Sequence, residues 1–303
     1  MDTEQSPRTI TTCNTPPDLH LSYVHESTNP AKLHLTEPDF LMTMLEITFI
    51  DLKPWTLLNL TTLRYKSFAR LWTKNGAALS AEMPGPLNSL LASCSGVVLD
   101  IGPGTGELLS RFDASRITVM YGAEPAAELH EGLARNAQKH GFGDKYRALR
   151  CGGEPESLIP ALHKSGVLEV SGRAGLASDG VFDEICCLRV LCGVPHVQET
   201  INGLYNLLKP GGRMVICEHV VNPWRTEGRL LARFMQVVYT LLGWPFFMGG
   251  CELQRHTPEY LRNAGEWDKF DLKYYGPKDA IPFVVGELIK KGGKSYAEVV
   301  KED

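Results

Sequence analysis

The sequence is short of several things that would have pointed elsewhere. Among its eight cysteines no CxxC pair occurs, which leaves no zinc-ribbon or thioredoxin-like signature; no metal is expected, and the thiols read as reduced and buried, in an intracellular, cytoplasmic protein. The formal net charge of -4 supplies no basic field, which argues against a nucleic-acid partner. The opening "MDTEQSPRTI" has neither a cationic region nor an apolar core after it, so no secretory signal is expected. Long apolar runs are scarce too. The greasiest, "FMQVVYTLLGWPFFMGGC" from Phe234 to Cys251, is broken by Gly243 and Pro245, and each piece falls short of the roughly 20 residues a bilayer span needs. It reads as a cap over a pocket, with peripheral membrane contact left open. No internal repeat or low-complexity tract is present.

What remains is the composition of a substantial core, 43% hydrophobic and 22% charged over 303 residues, enough for one large domain with elaborations. Residues 1–35, rich in Thr, Pro, Ser and His, read as a flexible arm. Residues 36–92 carry mostly helical spacing and form a helical extension that contributes to the pocket. From residue 93 to 303, short apolar runs alternate with amphipathic segments. Strands are expected at Val97–Leu99, Thr118–Gly122, Tyr146–Arg150, Phe182–Leu188 and Arg213–Glu218, and helices from Glu107, over Ala126–His140 and over Gln198–Leu208. That alternation predicts a doubly wound α/β sheet. "FDLKYYG" and "PFVVGELIKK" near the end read as two strands joined by a turn, suited to an antiparallel edge.

In such a sheet the first strand-to-helix turn comes closest to a ligand. Here that turn is "LDIGPGTGE". Glu107 stands where a dinucleotide fingerprint needs its third glycine, and no Gly-Lys-Ser/Thr follows to make a P-loop. Instead Asp100 precedes Gly102, Gly104 and Gly106. Glycines permit close approach, while a carboxylate two residues earlier favours a cationic amine over a pyrophosphate. S-adenosylmethionine carries an amine and a sulfonium and no phosphate. The second strand runs into "YGAEP", which sets Glu124, followed by Pro125, where a carboxylate accepts ribose hydroxyls.

Through "LDIGPGTG", "YGAEP" and "LLKPGGRMVICEHV" the chain resembles the class I S-adenosylmethionine-dependent methyltransferases over residues 97–220. "CLRVLCGV" and "GGCELQRHT" add a narrower similarity to thiol S-methyltransferases and small-molecule methyltransferases of fungi, which suggests secondary metabolism. The resemblance implies a Rossmann-like seven-stranded sheet of order 3-2-1-4-5-7-6 with strand 7 antiparallel. It also places Gly153 and Glu154 beside the adenine, and Leu188 and Arg189 near the methionine end.

For the acceptor, methyl transfer is an in-line displacement that needs alignment, and a base if the nucleophile is a hydroxyl. His219, directly after the fifth strand, is the leading base candidate and His196 the second. Adjacent strand residues face opposite sides, which separates Glu218 from His219. Substrate walls are expected from Tyr65 and Trp72 on the extension and from Phe234, Tyr239, Trp244 and Phe247 in the cap at 221–264, around a small apolar acceptor. S-methylation stands slightly ahead of O-methylation. The alternatives are a lipid or sterol methyltransferase, and a cofactor-binding cyclase or noncatalytic partner.

Overall fold

The computed structural model describes residues 37–50, 58–81, 83–168 and 180–292; the arm assigned to residues 1–35 lies outside them. Its centre is a seven-stranded sheet of order β3-β2-β1-β4-β5-β7-β6. The strands are β1 (Gly96–Ile101), β2 (Ile117–Ala123), β3 (Tyr146–Leu149), β4 (Phe182–Leu188), β5 (Leu208–His219), β6 (Trp267–Tyr275) and β7 (Phe283–Lys290). The first five pair in parallel, and β7 pairs antiparallel with both β5 and β6.

Both faces of the central strands are buried, and alternate residues divide between two cores. Leu99, Ile101, Ile185, Cys187, Met214 and Ile216 pack on one face, and Val98, Cys186, Leu188, Val215 and Cys217 on the other. The period of two along strands that read as nearly continuous apolar runs is what a doubly covered parallel sheet demands.

Three helices precede the sheet: α1 (Glu37–Leu45), α2 (Leu60–Ala81) and α3 (Leu87–Ala92). The start of α2 is fixed by Asn59, whose side chain accepts the Thr62 amide at 3.0 Å. Further helices are α4 (His130–Lys139), α5 (Pro155–Lys164), α6 (Val197–Leu207), α7 (Leu230–Leu241), α8 (Trp244–Phe247) and α9 (Thr257–Asn263). Three sequence expectations change. The fifth strand, expected at Arg213–Glu218, begins at Leu208 and runs through the exposed Pro-Gly of "LKPGGR" to His219. The helix expected from Glu107 shrinks to a single 3-10 turn at Leu109–Arg111. The Gly106 carbonyl, which would accept the first bond of such a helix, instead takes the Leu109 amide at 3.2 Å in a 3-10 bond. The helix expected over Ala126–His140 opens with a separate 3-10 turn at Ala127–Leu129 before α4 begins.

The amino ends of β4 and β5 are tied by charge. Arg213 donates to Glu184 at 2.6 and 2.9 Å and to Glu287 at 2.9 Å, and Glu287 also accepts from Lys269 at 2.6 Å. Arg213 and Glu184 are 17% and 8% exposed, so removing the guanidinium strands a buried carboxylate. Arg213→Ala is therefore expected to cost about 3 kcal/mol in chemical denaturation. Because the network lies at the end of the sheet away from the glycine turn, ligand affinity measured on the folded variant should be unchanged.

Candidate active site

The carboxyl ends of β1, β2, β4 and β5 converge on one edge of the sheet, where ligands bind in this architecture. At the end of β1 the chain turns through Gly102, Gly104 and Gly106 with φ of 64°, 64° and 80°, a left-handed path that side chains disfavour. Asp100 is 4% exposed, and no hydrogen bond reaches its carboxylate among the described residues. Burial, reinforced by the Glu124 charge, pushes its pKa up to about 7.

Glu124, one residue past β2, is aimed at the same turn. Its carboxylate accepts the Gly104 amide at 3.0 Å and the Ala126 amide at 2.9 Å. Two bonds leave about half of a carboxylate's acceptor positions for a ligand. Burial raises its pKa to about 7 against the pull of those two amides. Pro125, beside it, is exposed.

Tyr146 on β3 joins this group, although nothing in its spacing marks it. Its hydroxyl is buried without a hydrogen-bond partner, and a Cβ on Gly122 would lie 2.0 Å from it. Only a glycine there admits the ring. Burial and the charges of Asp100 and Glu124 push the phenol well above its ordinary pKa.

The turn also shows what it is not built to hold. A pyrophosphate site uses the amino end of a long helix following the glycines, and here only three residues of 3-10 turn follow. Two buried carboxylates stand at the turn instead, with the Tyr146 phenol buried behind them over Gly122. These groups fit S-adenosylmethionine: Asp100 would meet the amine and Glu124 the ribose hydroxyls. Gly153 and Glu154 follow β3, with Gly153 buried and Glu154 half-buried at the amino end of α5.

Trp72 and Arg189 close the other side of the cleft. Leu188 and Arg189 end β4, with Arg189 held at φ 62°. Its guanidinium lies 5.0 Å from the centre of the Trp72 ring and donates to the Leu79 carbonyl at 2.8 Å and the Ser80 hydroxyl at 2.7 Å. Trp72 donates to Glu107 at 3.1 Å, and a Cβ on Gly104 would meet its indole nitrogen at 2.3 Å. The sequence sets Trp72 in the substrate wall; the structure lays it directly on the glycine turn. Phe68, one helical turn earlier, stacks 5.6 Å from Trp72 and lies against Gly249. It joins α2 to the cap and was not singled out by its spacing.

Beyond β5, Glu218 and His219 part company as strand alternation requires. Glu218 is fully buried and accepts the amides of Val190, Leu191 and Cys192 at 2.9, 2.9 and 3.2 Å. Burial nonetheless pushes its pKa up to about 7. His219 points instead at two sulfurs: its Nδ1 lies 3.8 Å from Cys192 Sγ and 3.5 Å from Cys251 Sγ. A hydrogen bond from Cys192 and the His219 ring hold Cys251 well below the usual thiol range, while Cys192 is pushed well above it. The second base candidate, His196, is exposed at the start of α6 with φ 46°, and no contact joins it to His219.

The expected wall residues divide. Trp244 is buried, with Tyr239 stacked at 5.8 Å, and Phe247 and Tyr65 are half-buried. Phe234 is 59% exposed, on a face of α7 shared with Leu230, Leu231 and Leu241. Among the described residues no helix is long and apolar enough to cross a membrane.

Comparison with known proteins decides the family. The model of the methyltransferase domain matches residues 65–267, a stretch that holds every site described above. The chain belongs to this methyltransferase family. With the observed strand order it is of the class I, S-adenosylmethionine-dependent type. This methyltransferase is 32% identical over 117 residues to thiol S-methyltransferase TMT1B of Homo sapiens, covering 37% of this chain and 46% of that protein. The Rattus norvegicus protein of the same name is 26% identical over 117 residues, with the same 37% and 46%. Ubiquinone/menaquinone biosynthesis C-methyltransferase UbiE of Escherichia fergusonii is 28% identical over 133 residues, 41% of this chain and 45% of that one. The chain thus spans less than half the length of these relatives. Among solved structures, a possible exported protein from Bordetella parapertussis superposes with a TM-score of 0.49 at 16% identity, over 87% of this chain and 99% of that one.

Proposed function

We propose that this methyltransferase transfers a methyl group from S-adenosylmethionine to a small apolar acceptor, with a thiol favoured over a hydroxyl. The observation that carries the choice of acceptor is the setting of His219, which faces two sulfurs and has no carboxylate to orient it, because Glu218 is committed to three backbone amides. A hydroxyl acceptor needs an oriented general base; a thiol, with an unperturbed pKa of about 8.5, is partly ionised at neutral pH and needs alignment above all. The bound donor supplies an electrophilic methyl on its sulfonium. Asp100, Glu124 and the glycine turn would fix the donor, and the cap around Trp244 and Tyr239 would exclude water from the acceptor. The partial similarity to thiol S-methyltransferases supports the same reading.

A screen with methyl-labelled donor across aryl and alkyl thiols, phenols and amines tests it. Label should pass to thiols fastest. Transfer to phenols or amines alone overturns the thiol reading, and absence of S-adenosylhomocysteine from every class overturns methyl transfer.

One observation favours a second reading of how the acceptor arrives. Leu230, Leu231, Phe234 and Leu241 on α7, with Leu242 just after it, are 56–81% exposed, and contiguous exposed apolar side chains of this kind mark interaction surfaces. Such a face suits contact with a membrane surface that concentrates apolar acceptors. Flotation with phosphatidylcholine vesicles checks it: Leu231→Glu with Phe234→Glu should release protein from the floating fraction, and wild-type protein that stays at the bottom rejects the idea.

A further inference from the structure

The sulfurs of Cys192 and Cys251 and the imidazole of His219 come from three separate segments, 27 and 32 residues apart where they touch the histidine, and their donor atoms all lie within 4.8 Å of one another. Each is placed by its own support. The amide of Cys192 is held by Glu218 at 3.2 Å, and its carbonyl accepts from Glu252, the neighbour of Cys251, at 2.8 Å. Cys251 follows Gly250, whose φ of 102° and amide bond to Pro245 at 2.7 Å fix the turn into it. His219 closes β5 opposite Phe283 on β7, and the two rings sit 4.4 Å apart.

The spacing is informative. A tetrahedral zinc ion with bonds of about 2.3 Å to sulfur and about 2.0 Å to nitrogen sets each sulfur about 3.5 Å from the nitrogen. The observed separations are 3.8 and 3.5 Å. Both cysteines are unpaired by disulfide and buried, at 1% and 7% exposure, and His219 is half-buried. Two thiolates and one imidazole are a donor set that selects zinc over magnesium or calcium.

We propose that Cys192, His219 and Cys251 bind one zinc ion, and that the open fourth position takes the sulfur of the thiol acceptor. The second half rests on the thiol reading above; the first half stands without it. Three protein ligands and an exchangeable fourth are the pattern of a catalytic rather than a structural zinc. The site lies at the right edge of the sheet, with Cys192 three residues beyond Arg189 of the donor cleft. His219 is two residues beyond Cys217, which pairs with Leu188. It also borders the cap, since Cys192 and Cys251 pack with Trp244 and Leu253. On coordination the acceptor thiol gives its proton to solvent and stays on the metal as a thiolate. The thiolate electron pair then forms a bond to the donor methyl as the methyl–sulfonium bond breaks. The products are a neutral thioether on the acceptor and neutral S-adenosylhomocysteine, and the thioether, a poor ligand, leaves.

The test uses the full chain, stripped with chelator under reducing conditions and titrated with zinc and then cobalt. We expect one equivalent of tightly held zinc, and a cobalt form with thiolate-to-metal charge-transfer absorption and the intense visible bands of a tetrahedral site. Cys192→Ser and Cys251→Ser should each abolish the charge-transfer signature or lower metal affinity at least about a hundredfold. Because the signature is read first on the wild-type chain, a variant that fails to fold does not decide the matter. Thiophenol should shift the cobalt bands, and phenol should not. Less than about a tenth of an equivalent of metal, or a Cys192–Cys251 disulfide formed in its place, overturns the site. A cobalt spectrum indifferent to thiophenol overturns the acceptor role. S-adenosylmethionine binding, measured in parallel on the stripped protein, reports on the methyltransferase reading independently of the metal.

Discussion

Asp100→Asn should lower the affinity for S-adenosylmethionine by about a hundredfold, the loss expected when one partner of a desolvated charge pair is removed. The side chain is buried and no protein donor reaches its carboxylate among the described residues, so a cationic ligand is the partner it is built for. The pH dependence identifies the cause. With the carboxyl of the ligand-free protein pushed up to about 7 from 3.8 by burial and by Glu124, the amine must bind the ionised form. Below pH 7 wild-type affinity should fall by about tenfold or more per unit, since Glu124 titrates there as well, and binding should release protons to the buffer; above 7 it should level off. The variant should bind weakly at every pH, with a shallower profile whose remaining slope belongs to Glu124, also pushed up to about 7 by burial. Stability runs the other way. Between pH 4 and 7 the folded ligand-free protein holds a proton on Asp100 that the unfolded chain has lost, so wild type loses stability as pH rises through that window. Asp100→Asn removes this loss, and at pH 8 the ligand-free variant should be more stable than wild type by on the order of 2 kcal/mol. Isothermal titration calorimetry in two buffers and thermal melts across pH measure both. A variant that is less stable at pH 8 and still binds tightly would sink the assignment.

Glu218→Ala should be the most destabilising single change at the site, costing about 3–5 kcal/mol. The carboxylate is fully buried and holds the amides of residues 190–192. Deleting it leaves three buried N–H groups with no partner. A melting temperature lower by roughly 10 °C is expected for a domain of this size, together with faster hydrogen exchange at those three amides. Glu218→Gln keeps one oxygen for the Val190 and Leu191 amides and turns an N–H toward Cys192, so its cost should be about 1–2 kcal/mol. It should leave exchange at residues 190 and 191 slow and raise it at 192. If both variants melted like wild type, the amide clamp would not be holding the loop.

Much of the fold was legible because its signals are local. The central parallel strands β1 and β2 are apolar runs with a turn at each end, and the antiparallel pair at the close of the chain reads from "FDLKYYG" and "PFVVGELIKK". The glycine turn and the two carboxylates at it were legible for the same reason: Asp100 and its glycines are contiguous, and Glu124 follows the very next strand. Where the sequence misled, a distant residue had intervened. Nothing near Glu107 announces that Asn136 will pin the Thr105 carbonyl from across the turn, or that Gly106 will close a 3-10 turn with Leu109 where a helix was expected. The hydroxyl of Tyr146 lies over β2, close behind Asp100 and Glu124, only because Gly122, across the β2–β3 pairing, lacks a side chain. Cys192, His219 and Cys251 share no spacing that a motif could capture, since three different strand and cap connections bring them together. Trp72 looked like wall material on an amphipathic helix, and only the packing of α2 across the glycine turn reveals which compartment it covers.

That packing gives α2 a hand in both halves of the reaction. Through Trp72 it rests on the glycine turn, and through Phe68 it leans on Gly249 beside the cap. Trp72 lines the same cleft as Asp100, Gly102 and Arg189, so one rigid helix borders that cleft at one turn and the cap at the next, and a substitution that shifts α2 reaches both at once.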